Sequence, residues 1–119
     1  MITLTIVQES NLATLLQVEL HGTQASPSDL ADIEFPEING SKGLIISGFP
    51  QYSTGCVVAH YKNHCSWMGI RDDKVIKEGE FAGQPAFVVI WSLNRAFRQG
   101  DAVPLVNAAL EVLAPSAAK

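Results

Sequence analysis

The sequence predicts one α/β domain of the α+β kind: a mixed β-sheet with an N-terminal hairpin and a central right-handed βαβ unit. Three observations predict it. Ile2, Leu4 and Ile6 alternate with Thr3, Thr5 and Val7, the period of a strand. Two short apolar runs, GLIIS at 43–47 and WMGIR at 67–71, bracket a stretch that reads as a helix. Apolar residues make up 47% of the 119 residues and charged residues 17%, enough to bury one core and too little charge for a disordered chain.

Each element follows in order. Residues 2–8 and 13–20 are strands joined at Glu9-Ser10-Asn11. In Ser26-Pro27-Ser28-Asp29, a capping serine, a proline at the first helical position and an acid at the third start a short helix, which stops near Glu34 ahead of Pro36. The run at 43–47 has the character of a strand buried on both faces. Residues 51–64 form the central helix, and 67–71 return as a strand parallel to 43–47, because such crossovers are right-handed. Residues 74–83 are polar and make a hairpin connection. The run at 86–91 (AFVVIW) is the last strong strand, Gly100-Asp101 makes a turn, and a final helix spans 105–113. The domain is expected over 1–114, with a tail at 115–119.

Eight basic and twelve acidic residues leave a net charge of −4, which argues against gripping duplex DNA through its phosphates. No apolar run approaches the roughly 20 residues of a membrane span, and the N-terminus has no signal-peptide pattern, so a cytoplasmic location is expected. Cys56 and Cys65 form no CxxC pair and read as unreactive thiols. The slightly positive mean hydropathy, +0.16, suits a chain that buries surface in an oligomer.

In open α/β sheets, ligands bind beyond the carboxyl ends of parallel strands. Those ends are Ser47-Gly48 and Arg71-Asp72. The first leads through Phe49 and Pro50 to Gln51 and Tyr52 at a helix N-terminus, where free N–H groups favour an anion. Gly48 reads equally as a glycine that relieves the bend. His60 and His64, four apart, share a helix face without the glutamate of an HExxH site. Asn63-His64 facing Asp72 suits proton transfer, with the carboxylate orienting the imidazole or holding a cation. His64 also reads as a C-terminal helix cap. Trp67 and Trp91 read as core. Lys62, Arg71, Asp73 and Lys74 read as a solvated charged edge.

Taken together, Lys42-Gly43, Ser47-Gly48, Ala59-His60, Asp72 and the later Gly100-Asp101 resemble, in order and spacing, the third family of ring nucleases of type III CRISPR systems. The resemblance covers residues 1–104 and concentrates in 42–72. It implies a ring-nuclease domain that binds cyclic tetra-adenylate and cleaves it to linear di-adenylate, switching off antiviral signalling. Manganese supports that activity, the proteins act as homodimers or homotetramers with the ring held between dimers, and they are also described as RNA deadenylases.

Carried onto this chain, the resemblance makes Ser47, Gly48, Phe49 and Pro50 a cradle for phosphates and riboses. Gln51 and Tyr52 complete the binding stretch. Phe49 stands where family members often carry a basic residue. The histidine position of the family falls on Asn63, with His64 one place later and His60 one turn before. Asp72 matches the family aspartate and is the expected manganese ligand. Lys74 replaces an arginine without its bidentate fork, and Asp73 replaces a proline. Attack by the ribose 2′-hydroxyl would leave a 2′,3′-cyclic phosphate, with His64 or His60 moving protons and Lys74 stabilising developing charge. A non-catalytic sensor of the same ring, favoured by Asn63, and a small interaction module are the alternative readings.

Overall fold

A computed structural model describes residues 2–20, 27–38, 42–48, 51–95 and 97–108. Six strands form one mixed sheet in sequence order: β1 (Ile2–Glu9), β2 (Ala13–Leu20), β3 (Gly43–Ser47), β4 (Trp67–Val75), β5 (Pro85–Ser92) and β6 (Ala102–Pro104). Helix α1 (Pro27–Ala31) lies in the β2–β3 crossover, helix α2 (Gln51–Tyr61) in the β3–β4 crossover, and a 3-10 helix (Leu105–Ala108) follows β6. The expected hairpin is present, since β1 and β2 pair antiparallel. The expected βαβ unit is also present, since β3 and β4 pair parallel from Leu44↔Met68 to Ser47↔Arg71. In addition β2 lies parallel to β3, from Ala13↔Gly43 to Gln17↔Ser47. No local pattern announces that pairing, because it joins residues 30 apart.

The buried strands carry apolar side chains on both faces, as neighbouring residues alternate across the sheet. One face gathers Leu16, Val18, Leu44, Ile46 and Met68 under Ile33, Val57, Tyr61 and Cys65. Both crossovers cover this face, as two connections of the same hand must when the sheet advances in one direction. The other face gathers Leu15, Ile45, Trp67, Phe87 and Val89 under Phe97 and Leu105. There Trp67 stacks on Phe97 at 4.3 Å and on Phe87 at 5.3 Å between centroids. Trp67 is 1% exposed, a core residue as its sequence context predicts, and Trp91 is half-buried against the first face.

Several boundaries differ from the sequence expectation. Helix α1 ends at Ala31, not near Glu34, because the chain extends afterwards to bury Ile33 and lay Phe35 and Ile38 on the core. Helix α2 ends at Tyr61, so Asn63 and His64 lie in a turn closed by the His64 amide donating to the Tyr61 carbonyl at 2.8 Å. The chain must leave the helix there to bury Cys65 and let the Ser66 amide reach the Lys42 carbonyl at 3.2 Å. Strand β4 continues to Val75, which pairs with Pro85 of β5 beyond a register irregularity between Arg71 and Val75. Asp72 and Lys74 are therefore strand residues. Strand β6 is too short to show a period. The expected helix at 105–113 is a 3-10 helix over Leu105–Ala108; residues 109–119, including the expected tail, lie outside the described residues, as does the Ser26 cap.

Gly43 has a steric role. A Cβ on it would lie inside the Trp67 indole, so only glycine leaves room for the ring. Gly55, on the exposed side of α2, has open space around its Cβ position. Gly43→Ala should destabilise the fold by about 1–3 kcal/mol through overpacking. Gly55→Ala should stabilise it by about 0.4–1 kcal/mol by restricting the unfolded chain. Urea denaturation of the two variants beside the parent checks both signs.

Candidate ligand-binding and catalytic site

Strands β3 and β4 end side by side. Ser47 is half-buried at the carboxyl end of β3, and Arg71 is its register partner on β4. Gly48 follows with φ +74°, a backbone conformation that side chains resist. A Cβ there would also run into the Gln17 side-chain amide and the Val18 carbonyl, which ties the bend to the end of β2. The turn-glycine role of Gly48 is thus real, and the space its missing Cβ leaves is taken up by β2. Phe49 and Pro50 lie outside the described residues. Gln51 and Tyr52 occupy the first turn of α2, whose leading N–H groups open toward the same end. Asp72 follows Arg71 directly along β4. Ser47, Gly48, the start of α2, Arg71 and Asp72 therefore gather at one end of the βαβ unit, with Lys74 further along the same strand.

The histidines are elsewhere. Helix α2 runs back antiparallel to its strands, so Tyr61, Asn63 and His64 reach the amino ends of β3 and β4, beside Lys42 and Trp67. From Trp67 to Asp72 is five strand residues, roughly 16 Å at about 3.3 Å per residue. The expectation that His64 faces Asp72 within one chain is thereby corrected. Helix and strand run in opposite senses, which puts the helix's last turn and the strand's last residues at opposite ends. The expected charged edge divides likewise, with Lys62 at the histidine end and Arg71 and Lys74 at the other. Lys42 belongs to the histidine end, where its ammonium lies 3.6 Å from Glu9 and its side chain is largely buried.

At the histidine end, aromatic rings form a column. Phe35 stacks on His60 with centroids 3.9 Å apart and planes 11° apart, and His60 stacks on His64 at 5.7 Å and 23°. Tyr61 meets His60 edge-on at 4.7 Å. Both imidazoles remain exposed, as does Asn63, and a cavity of about 250 Å³ opens among Phe35, Glu37, His60 and His64. Tyr61 is buried and its hydroxyl donates to the Pro36 carbonyl, which pins the segment carrying Phe35. Phe35 and Tyr61 are the site residues sequence reasoning missed. Arg71 is a strand end that reads from sequence as part of a solvated edge, and its pairing with Ser47 falls three residues on from Leu44↔Met68. Phe35 sits in an irregular segment with no periodic signal.

The stacked histidines present their faces, not converging nitrogens. Among the described residues no group of three histidine, cysteine or acidic side chains is placed to hold a metal. Both cysteines are free, and burial pushes the Cys65 thiol up to about 11, partly opposed by a backbone hydrogen bond at Trp67. So Cys65 is an unreactive thiol, as expected. Burial likewise pushes the Tyr61 phenol up to about 12, keeping it a donor to Pro36.

A small mixed α/β domain with a glycine bend at the carboxyl ends of two parallel strands is the class these features define. The model of the family described as CRISPR-associated protein (Cas_csx3) matches residues 18–104, close to three quarters of the chain. The protein belongs to that CRISPR-associated family. Among curated proteins none matches it.

The weakened acidities of Cys65 and Tyr61 set an alkaline limit. Both groups are protonated in the folded and unfolded chain below pH 9, so neither makes stability vary there. From pH 9 to about 11 the unfolded thiol ionises before the folded one, and from 10 to about 12 the phenol does the same. Stability should therefore hold to pH 9 and fall above it. Tyr61→Phe should cost about 0.5–1.5 kcal/mol at pH 7 and shallow the fall above pH 10, as followed by denaturation across pH.

Proposed function

We propose that this CRISPR-associated protein is a cytoplasmic ring nuclease that binds cyclic tetra-adenylate and cleaves it to linear di-adenylate. The observation that carries the reading is the division of the βαβ unit into an anion-receiving end and a histidine end. Ser47, Gly48 and the first turn of α2 offer backbone N–H groups and close approach to phosphates, and Arg71 adds a cation beside them. The exposed His60 and His64, backed by Phe35, offer imidazoles able to move protons near neutral pH. One protomer cannot bring both ends to one phosphodiester. A homo-oligomer can, with the ring held on the loop end of one copy and reached by the histidine end of another.

In that arrangement the ribose 2′-hydroxyl attacks the adjacent phosphorus and the 5′-oxygen leaves, giving a 2′,3′-cyclic phosphate. His64, supported by His60, takes the hydroxyl proton or returns one to the leaving oxygen, and Asn63 beside it can hydrogen-bond the ribose. Arg71 and Lys74 balance charge on the phosphate. Manganese belongs at Asp72, where an ion would screen the phosphate's negative charge. The second reading is a non-catalytic sensor of the same ring, favoured by Asn63 standing exposed where the family resemblance expects the histidine.

Incubation with cyclic tetra-adenylate, with and without manganese, followed by chromatography of the products, separates the readings. Turnover to di-adenylate supports the nuclease, binding without turnover the sensor, and neither result sinks both. In the nuclease, His64→Ala should lower cleavage roughly 10²–10⁴-fold while leaving ring affinity within a few-fold. An equimolar mixture of His64→Ala and the Ser47→Ala/Arg71→Ala double variant should cleave far faster than either alone, because each supplies the end the other lacks. Absence of that recovery, with both variants folded, would overturn the shared site.

A further inference from the structure

Strand β1 is an edge of the sheet, and apart from a bulge beyond Ile6 it lacks the usual protections of one among the described residues. Edge strands normally carry lysine, proline or distortion that keeps other chains from pairing with them. Residues 2–8 contain no charge and no proline, and five of the seven are isoleucine, threonine or valine, the residues best suited to strands. The opposite edge, β6, has only three residues. A bulge shifts the β1–β2 register between Ile6 and Gln8, so the regular part of the edge is Ile2 to Ile6. There every second residue turns its N–H and C=O away from β2, and the paired stretch is long enough to accept another strand.

A groove of about 490 Å³ runs beside this stretch, floored by Ile2, Leu4 and Phe35 and rimmed by Asp32 and Glu34. Leu4 and Ile6 are only half-buried. Both rim carboxylates are exposed, and among the described residues neither forms an ion pair and no cation lines the groove. The combination of apolar floor and acidic rim fits one kind of side chain, a long aliphatic stem ending in a cation. A second copy of this chain does not fit. Antiparallel pairing of two β1 strands about Thr5 would bring Glu9 of one copy toward Asp32 and Glu34 of the other, and the nearby Lys42 is already paired with Glu9.

We propose that the Ile2-to-Ile6 edge of β1 accepts an extended segment of a partner protein as a seventh strand, its alternate lysine or arginine side chains lying in the groove against Asp32 and Glu34. Backbone pairing supplies the attachment, and the groove selects the basic residue on every second position. The residues between them lie beside Thr3 and Thr5 on the other face, where small β-branched side chains suit a strand surface. This surface shares Phe35 with the histidine end but none of the loop-end residues proposed above, and it does not depend on that activity.

The test uses a fluorescein-labelled, end-capped octapeptide of alternating valine and lysine, with a valine–glutamate octapeptide as control, in polarisation titrations at low ionic strength. The lysine peptide should bind saturably and the glutamate peptide at least tenfold more weakly. The Asp32→Lys/Glu34→Lys variant, changed only at exposed positions, should lose at least tenfold in affinity for the lysine peptide. Amide shifts on binding should concentrate at Ile2 to Ile6. No binding at millimolar peptide, equal affinity in the charge-reversed variant, or shifts confined to Ser47 and the start of α2 would each overturn the proposal. Self-association lost on Thr5→Lys would instead give the edge to a second copy and overturn it too.

Discussion

The contact on which the rest of the structure depends is the Trp67 indole lying over the bare backbone of Gly43. It locks the first turn of register between β3 and β4, and from there Leu44↔Met68 through Ser47↔Arg71 follow residue by residue. Phe97 and Phe87 close over the same indole, so the loop after β5 and the far side of the sheet are tied to one ring. A one-residue slip would turn Leu44 and Ile46 out of their face and put Ile45 in their place. Because the slip would also drive the indole into a Cβ-bearing residue, sterics and burial select the same register.

That register sets the polarity of the site. With β3 and β4 parallel, the bend at Gly48 and the start of α2 must stand at their carboxyl ends, and the helix must deliver its last turn to their amino ends. The Gly48 bend and the exposed imidazoles of His60 and His64 are consequently held apart by the length of a strand. The fold keeps each half rigid. Gly48 is wedged against Gln17 and Val18, while Phe35 and the Tyr61–Pro36 hydrogen bond brace the histidines. A chain built this way has two working ends, and chemistry that needs both has to recruit a second copy. The β1 edge adjoins the histidine end through Phe35.

How much was legible in advance differs by kind of feature. The strands at 13–20 and 43–47, the hairpin, the parallel βαβ unit and the core role of Trp67 could all be read, because alternation and apolar runs report burial directly. The Gly48 bend could be read as well, since a glycine at a strand's end has few other uses. The ends of α1, α2 and β4 could not. Each is decided by what the next residues must bury, as with Ile33 and Cys65, or by a neighbouring strand's backbone, as with Val75.

By itself the sequence determined which residues prefer strand or helix, where the chain bends, and which side chains carry chemistry, because these follow from local sterics and from residue type. Only the tertiary structure decided which of those residues meet. His60 and His64 join Phe35 instead of Asp72, Arg71 joins Ser47, and Lys42 joins Glu9. These meetings depend on strand order and on the direction in which a crossover returns, and both are set by packing between segments tens of residues apart. No spacing along the chain encodes them.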